Sequence, residues 1–309
     1  MASDKAKGIV LAAIAAATYG MNPLFALPLY AEGMDTYSVL FYRYLFAVPM
    51  LAVMIKARGR DFKLQKKEII PIIIAGLIFA MSSITLFLSY RYMAAGIAST
   101  ILFIYPVLVA VIMAVFFKEK VRLATVVSIL LSLIGIGLLY KGDDGTTLNL
   151  TGVLIVAASA LLYAVYIVGV NQSRILRKVP TVKLTFYGLV TGTVLFFCLT
   201  GFGTGISPVK EWYHWFNLIA LAALPTAVSL TCTTTATHYI GATPTAILGA
   251  LEPVTAVIIG AAVFNESLTD RIIFGILLII LAVMLIVTGD RIPAVLLRFR
   301  KLFPKLKKR

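Results

Sequence analysis

The sequence predicts an all-α integral membrane protein, with ten transmembrane helices arranged as two inverted-topology five-helix repeats and both termini cytoplasmic. Three observations predict it. Residues of the types AVILMFWYC fill 61% of the 309 positions while only 13% are charged, and the mean hydropathy is +0.98; a soluble domain of this length has no surface on which to place such a balance. Apolar runs of the ~20 residues that a ~30 Å hydrocarbon core requires recur along the chain. A stretch of the second half also repeats a stretch of the first.

The runs place spans at 8–31, 36–56, 69–91, 96–117, 123–141, 149–171, 181–200, 215–238, 242–264 and 270–289. The first follows Lys5 and Lys7 but is too long for the core of a signal peptide and carries Tyr19, Asn22, Pro23 and Pro28, so no cleavable leader is expected. The fifth span contains Gly135 and Gly137 and the ninth contains Gly260, Ala261 and Ala262; such small residues suit close helix contacts rather than a nucleotide loop. Cys198 and Cys232 fall inside spans, in no arrangement that suggests a metal site or a disulfide. His214 and His238 stand apart from any carboxylate or Cys cluster, so no metal and no cofactor is expected. The resulting domains are a first repeat, 1–145, a second repeat, 146–290, and a basic tail, 291–309.

Charge placement sets the orientation. The formal charge of +15 invites a nucleic-acid partner until the basic residues are mapped onto the spans. With the N-terminus inside, 23 of the 28 Lys and Arg lie in cytoplasmic segments, above all 56–67, 118–122, 174–183 and the tail, whereas Arg91, Lys141, Lys210 and Arg271 lie outside and Arg43 lies within a span. That asymmetry is the positive-inside signal, so no nucleic acid is implicated. The tail RIPAVLLRFRKLFPKLKKR interleaves apolar and basic residues and is expected to lie on the anionic inner leaflet, with a docking site for a partner as the alternative.

The repeat is visible at an offset of 147 residues. Tyr92 meets Tyr239, Ala95 meets Ala242, Pro106 meets Pro253, Val107 meets Val254, Phe117 meets Phe264 and Glu119 meets Glu266; Ser82 falls on Ser229. At an offset of 144, Tyr19 falls on Tyr163. Matched Leu, Val or Ala would mean little in membrane sequence, but a Pro and a Glu at one spacing in both halves is a rarer coincidence. Five spans is an odd number, so the second half enters the membrane from the opposite side. This is the inverted repeat found in many secondary transporters, whose substrate sites lie near the midplane between repeats.

These residues also carry a resemblance. Tyr-Gly-x-Asn over Tyr19 to Asn22, Tyr-Arg-Tyr over Tyr42 to Tyr44, and Leu-Glu-Pro-Val over Leu251 to Val254 followed by Asn-Glu-Ser-Leu over Asn265 to Leu268 look like the EamA family of the drug/metabolite transporter superfamily. The resemblance extends over about residues 8–289. It implies a ten-span carrier of small metabolites, commonly an exporter of amino acids or related compounds, with no particular substrate specified. Related four-span multidrug exporters exchange protons on a carboxylate in the first helix, and this first span has none.

Of the formally charged side chains, only Arg43 and Glu252 fall well within spans. A charge there costs on the order of 3 kcal/mol or more and has to face protein or a watered cavity. Arg43 is about seven residues, or ~10 Å, from the outer end of its span, and Glu252 about ten residues, or ~15 Å, from the inner end of its own. In one reading Arg43 attracts a carboxylate while Glu252 takes up a coupling proton or meets an amine. In the other they form a buried ion pair or tie helices together. Pro253 should disturb the carbonyl of Gly249, and Pro106 that of Leu102, which marks both prolines as candidate hinges beside a cavity. Tyr105 stands where Glu252 stands in the other half. Tyr19, Asn22, Tyr163 and Tyr166, in the first helix of each half, together with Ser82 and Ser229, complete the candidate substrate-binding set; each could instead serve an interhelical hydrogen bond. Glu119 and Glu266 lie at span ends, where a carboxylate caps or pairs in water.

The expected function is therefore a secondary carrier of a small molecule working by alternating access, as a monomer or homodimer in the cytoplasmic membrane. Proton coupling and facilitated diffusion both remain open. A channel or a non-transporting sensor is the alternative. A membrane-embedded enzyme is not expected, because the closest acidic pair, Asp143 and Asp144, has no His nearby.

Overall fold

The computed structural model describes residues 2–119, 123–140 and 149–288. The tail at 291–309 and the Asp143–Asp144 turn lie outside the described residues, as do Lys120, Arg122 and Lys141. The described residues form helices and no strands. In lipid this is the expected outcome, because a helix satisfies its backbone groups within one segment.

The helices are α1 (Ala2–Gly20), α2 (Asn22–Ala31), α3 (Thr36–Ala57), α4 (Lys66–Ser89), α5 (Ala95–Leu102), α6 (Tyr105–Phe117), α7 (Leu123–Tyr140), α8 (Leu150–Gln172), α9 (Thr181–Leu199), α10 (Trp212–Ala222), α11 (Ser229–Ile240), α12 (Ala242–Leu248), α13 (Leu251–Phe264) and α14 (Asp270–Thr288). A π-helical turn, Ala223–Val228, joins α10 to α11. Among the described residues, eight helical stretches, three of them bridging a break between consecutive helices, are long and apolar enough to cross a membrane: Asp4–Ala31, Thr36–Ala57, Lys66–Ser89, Ala95–Phe117, Leu150–Gln172, Thr181–Leu199, Trp212–Ile240 and Pro244–Phe264. Thr125–Leu139 is a shorter apolar helix.

Local chemistry starts several of these elements. The Asp35 carboxylate accepts the Tyr37 N–H at 2.9 Å to begin α3, Gln65 and Glu68 form a reciprocal capping box on α4, and the Asn149 side chain caps α8. Pro23 sits in the first turn of α2, so the first span restarts at Met21 instead of running through.

Helices of the first 140 residues pack on helices that follow residue 149: α1 on α11 and α13, α3 on α9, α4 on α8 and α9, α5 on α13, and α7 on α14. Because lipid is as apolar as leucine, such contacts depend on close approach rather than on the hydrophobic effect. At the α4–α9 crossing a Cβ on Gly76 would stand 3.0 Å from the Gly188 Cα; at the α7–α14 crossing a Cβ on Gly135 would stand 3.0 Å from the Gly275 carbonyl, and one on Gly275 the same distance from the Gly135 carbonyl. Gly137 departs from expectation, with open space around it; it lies one 200° step around the helix from Gly135 and so faces away from α14. Phe116, Val53 and Ile70 point outward, as suits a lipid-facing surface.

Two pairs of matched positions adopt matched structures. α6 ends with Lys118 at φ 54° and α13 with Asn265 at φ 53°, and in each case the following N–H turns back, Glu119 to the Met113 carbonyl at 3.3 Å and Glu266 to the Gly260 carbonyl at 3.0 Å. The Ser82 hydroxyl donates to the Ser159 carbonyl at 3.0 Å, and that of Ser229 to the Ala15 carbonyl at 2.9 Å. Ser82 and Ser229 are related by the 147-residue offset, and Ala15 and Ser159 by the 144-residue one.

Candidate functional site

The site begins with two interrupted helices. Pro253 has no N–H to give, and the Gly249 carbonyl instead accepts the Glu252 N–H at 2.9 Å in a tight turn that ends α12 and starts α13. In the first half α5 stops at Leu102, Ile104 N–H turns to the Ile101 carbonyl at 3.1 Å, and α6 starts at Tyr105 with Pro106 behind it. The expected kinks are thus complete restarts, with each proline in the first turn of a new helix, where the missing donor costs least. Each restart carries its chemistry on the residue before the proline: Tyr105 in one half, Glu252 in the other.

Both residues line a central cavity of about 420 Å³. Tyr19, Arg43, Tyr163, Tyr166 and Ser229 line it too. Pro106 and Pro253 are not part of the wall. Ser82 and Asn22 are not brought to it. Ser82 is committed to α8 by reciprocal bonds, its hydroxyl to the Ser159 carbonyl and the Ser159 hydroxyl to the Ser82 carbonyl at 2.7 Å. Asn22 is buried and donates its amide to the Tyr19 carbonyl at 2.8 Å, bridging the break between α1 and α2.

The wall has three chemical regions. Arg43 on α3 is 6% exposed; its Nε donates to the Thr226 hydroxyl at 3.2 Å and its guanidinium lies 5.0 Å from the Phe87 ring centroid. Its terminal amino groups take no acceptor among the described residues. Thr226 reaches Arg43 from the π-helical turn, where its hydroxyl also meets the Leu221 carbonyl five residues back at 3.4 Å. The wider turn, with Pro225 inside it, is the kind of irregularity that re-aims a side chain at a functional position. Glu252, on the other half, has no side-chain hydrogen bond among the described residues, and no ion pair joins it to Arg43. The buried ion pair considered from sequence is therefore not formed here.

An aromatic shelf forms another part of the wall. The rings of Tyr105 and Tyr163 meet edge to face at 4.7 Å, Tyr163 and Tyr166 are stacked at 6.1 Å, and Phe79 lies 5.2 Å from Tyr166. Tyr44, whose hydroxyl is 2.7 Å from that of Ser83, closes the shelf on the α3 side. A row of hydroxyls, Thr181, Thr185, Thr233 and Thr237, continues the wall to the start of α9 and the far end of α11. Sequence reasoning missed Thr226, Tyr44, Phe79 and this row. The threonine-rich run of α11 was a signal that could have marked one wall. Among the described residues no group of three or more His, Cys, Asp and Glu could hold a metal ion.

The cavity wall reaches Thr181, the first residue of α9, and Thr237, in the last turn of α11. Past the other end of α9, the Ser207 hydroxyl accepts the Asp35 N–H at 3.2 Å and the Ser207 N–H donates to the Ser38 hydroxyl at 2.9 Å, tying this segment to the start of α3. Nearby, Arg91 donates to the Met34 carbonyl at 2.9 Å and lies over the Tyr30 ring.

Comparison with known proteins agrees with this architecture. An uncharacterized transporter of Bacillus subtilis (strain 168), YvbV, is 26% identical over 78% of this chain and 79% of its own length. An uncharacterized transporter of Synechocystis sp. (strain ATCC 27184 / PCC 6803 / Kazusa), sll1319, is 28% identical over 68% of this chain and 64% of its own. A protein crystal structure aligns with a TM-score of 0.65 over 97% of this chain and 99% of that one; at 18% identity the likeness speaks to the fold alone. The EamA-like transporter family matches residues 6–141 and 150–288, nearly the whole length. The chain therefore belongs to the EamA-like transporter family and is a multi-pass membrane transporter.

Proposed function

We propose that the protein is a secondary transporter of ten spans in the cytoplasmic membrane, two five-helix halves of opposite orientation with both termini inside, moving small zwitterionic metabolites such as amino acids or related compounds outward by alternating access. The observation that carries this reading is the pairing in one cavity of a buried Arg43 and a Glu252 that are not bonded to each other. Each keeps polar atoms that have no partner among the described residues, and an aromatic shelf lines the same cavity. A solute carboxylate on Arg43 and an amine on Glu252 would satisfy both groups, with the apolar body of the solute against Tyr105, Tyr163 and Tyr166.

The arrangement supports access from one side at a time. On this reading Thr181 and Thr237 mark the approach from the basic face and the Ser207 contacts would close the opposite one; release outward would require those contacts to part and the basic side to close. The unpaired carboxylate also supports proton exchange at Glu252 during the cycle. The whole protein would act as a monomer or homodimer.

Counterflow in reconstituted proteoliposomes tests the proposal. Vesicles preloaded with an unlabelled amino acid mixture should accumulate a labelled member of it, with saturation and without any added energy source. Conductance that does not depend on a trans solute would identify a channel and overturn the carrier.

A further inference from the structure

Beside the central cavity, on the face bearing the basic loops, is a second concavity of about 610 Å³. Its walls include Arg58 and Arg60 from the segment that follows α3, Arg177 and Lys178 from the segment that precedes α9, and His238 and Thr181. No carboxylate lines it, and none of the four cations forms an ion pair among the described residues. The acid nearest in sequence, Asp61, is held by Lys183 instead, Nζ to Oδ1 at 3.0 Å.

Both walls are fixed. Lys183 also donates to the Lys63 carbonyl, and Tyr187 donates to the Phe62 carbonyl, so the loop of Arg58 and Arg60 is tied to the first turns of α9. The opposing segment is anchored by buried Leu176 and Val179, which pack with Ile72, Ala75 and Leu184, and the Ser173 hydroxyl accepts the Ile175 and Leu176 N–H groups. The positive-inside rule accounts for how many cations this face carries, but it sets no requirement that four of them converge, on tethered backbone, around one hollow. Like charges held together repel one another and raise the local concentration of anions. Thr181 belongs to the walls of both hollows, so the path from the four cations leads directly to the cavity that holds Arg43.

We propose that this vestibule is an entry site that binds the carboxylate of a soluble solute on the basic face and passes it toward Arg43. The inference rests on the transporter reading and deepens it: the solute carries a carboxylate and is gathered from the cytoplasmic side.

The test is 19F NMR of full-length protein in nanodiscs of phosphatidylcholine alone, with 4-(trifluoromethyl)benzoate as probe and 4-(trifluoromethyl)benzyl alcohol as its neutral counterpart. The benzoate should bind and weaken as salt rises from about 0.05 to 0.3 M, and replacing Arg58, Arg60, Arg177 and Lys178 together by Gln should reduce affinity about tenfold. The single variants Arg58→Gln and Arg177→Gln, each with unchanged thermal stability, should give smaller losses in the same direction, which separates charge from folding. Arg43→Gln should retain the salt-dependent component. Equal binding of the alcohol, or undiminished benzoate binding in the fourfold variant, would overturn the proposal. So would loss of benzoate binding when about a third of the lipid is phosphatidylglycerol, which would make the occupant a lipid headgroup. Absent counterflow with intact salt-dependent binding would instead defeat the transporter reading and leave the anion site standing.

Discussion

The break between α5 and α6 and the break between α12 and α13 share a backbone and differ in chemistry. Both place a proline in the first turn of a restarted helix, both restarted helices end in a left-handed residue, and both send the residue before the proline into the same cavity. At that position one half supplies a phenol and the other a carboxylate. The matched breaks thus give the cavity two similar corners, and a single residue difference puts a carboxyl at only one of them. Arg43 adds a charge in the body of α3, whereas α9, its counterpart in the second half, carries a charge only at Lys183 in its first turn.

The largest expected effect comes from erasing that difference. Glu252→Gln should abolish uptake driven by a pH gradient while leaving counterflow of preloaded solute; gradient-driven uptake at the normal rate would take the coupling proton away from Glu252. Next, Arg43→Ala should weaken binding of carboxylated solutes by roughly tenfold to a hundredfold, the range for losing hydrogen bonds to a charged group, and leave neutral analogues alone. Thr226→Val, which removes the acceptor of the Arg43 Nε, should move the same titration by about fivefold. An equal loss for all ligands, with lower yield, would make Arg43 structural.

Pro253→Ala addresses the shared backbone. It adds an N–H in the first turn of α13, where the Gly249 carbonyl already accepts from Glu252, so Tm should shift by no more than a few degrees while counterflow slows as the break loses the residue that fixes it. Pro106→Ala should act in the same sense, and a larger effect on one side would show which break moves more.

The smallest effect concerns pH at the rim. The hydrogen bond from Lys183, and then its charge, hold the Asp61 carboxyl below its usual range. Because the folded value is depressed, the tether is present above the ordinary carboxylate range and is lost as pH falls through the depressed value. Protection of the amides across residues 58–65, relative to their intrinsic exchange rates, should hold near neutrality and fall only in strong acid; Asp61→Asn should lower it at every pH.

Much of the architecture was legible because depth along a helix can be read from sequence. The apolar runs located the helices to within a few residues, and the matched prolines and glutamates pointed to the two breaks. Direction around the helix was harder to read. Where a helix is apolar on nearly all sides, no polar stripe says which face meets protein, so Ser82 was placed at the cavity although its hydroxyl is used against Ser159. Asn22 lies just past the restart at Met21, which turns it inward to bond the Tyr19 carbonyl. Thr226 was hidden for a different reason: an extra residue in the turn at Ala223–Val228 shifts its bearing, and no residue pattern announces a π-helical turn. The vestibule was legible as charge but not as shape, since its two walls come from segments more than a hundred residues apart.

The Glu266 carboxylate, which follows α13, accepts the Ala95 N–H at 2.8 Å and the Gly96 N–H at 3.3 Å at the start of α5. The far end of one broken helix is thereby clamped to the near end of the other. With the α5–α13 seam pinned in this way, any movement of α6 or α12 against it would have to be taken up as bending at Phe103–Ile104 and Gly249–Ala250, where the backbone already leaves the helix.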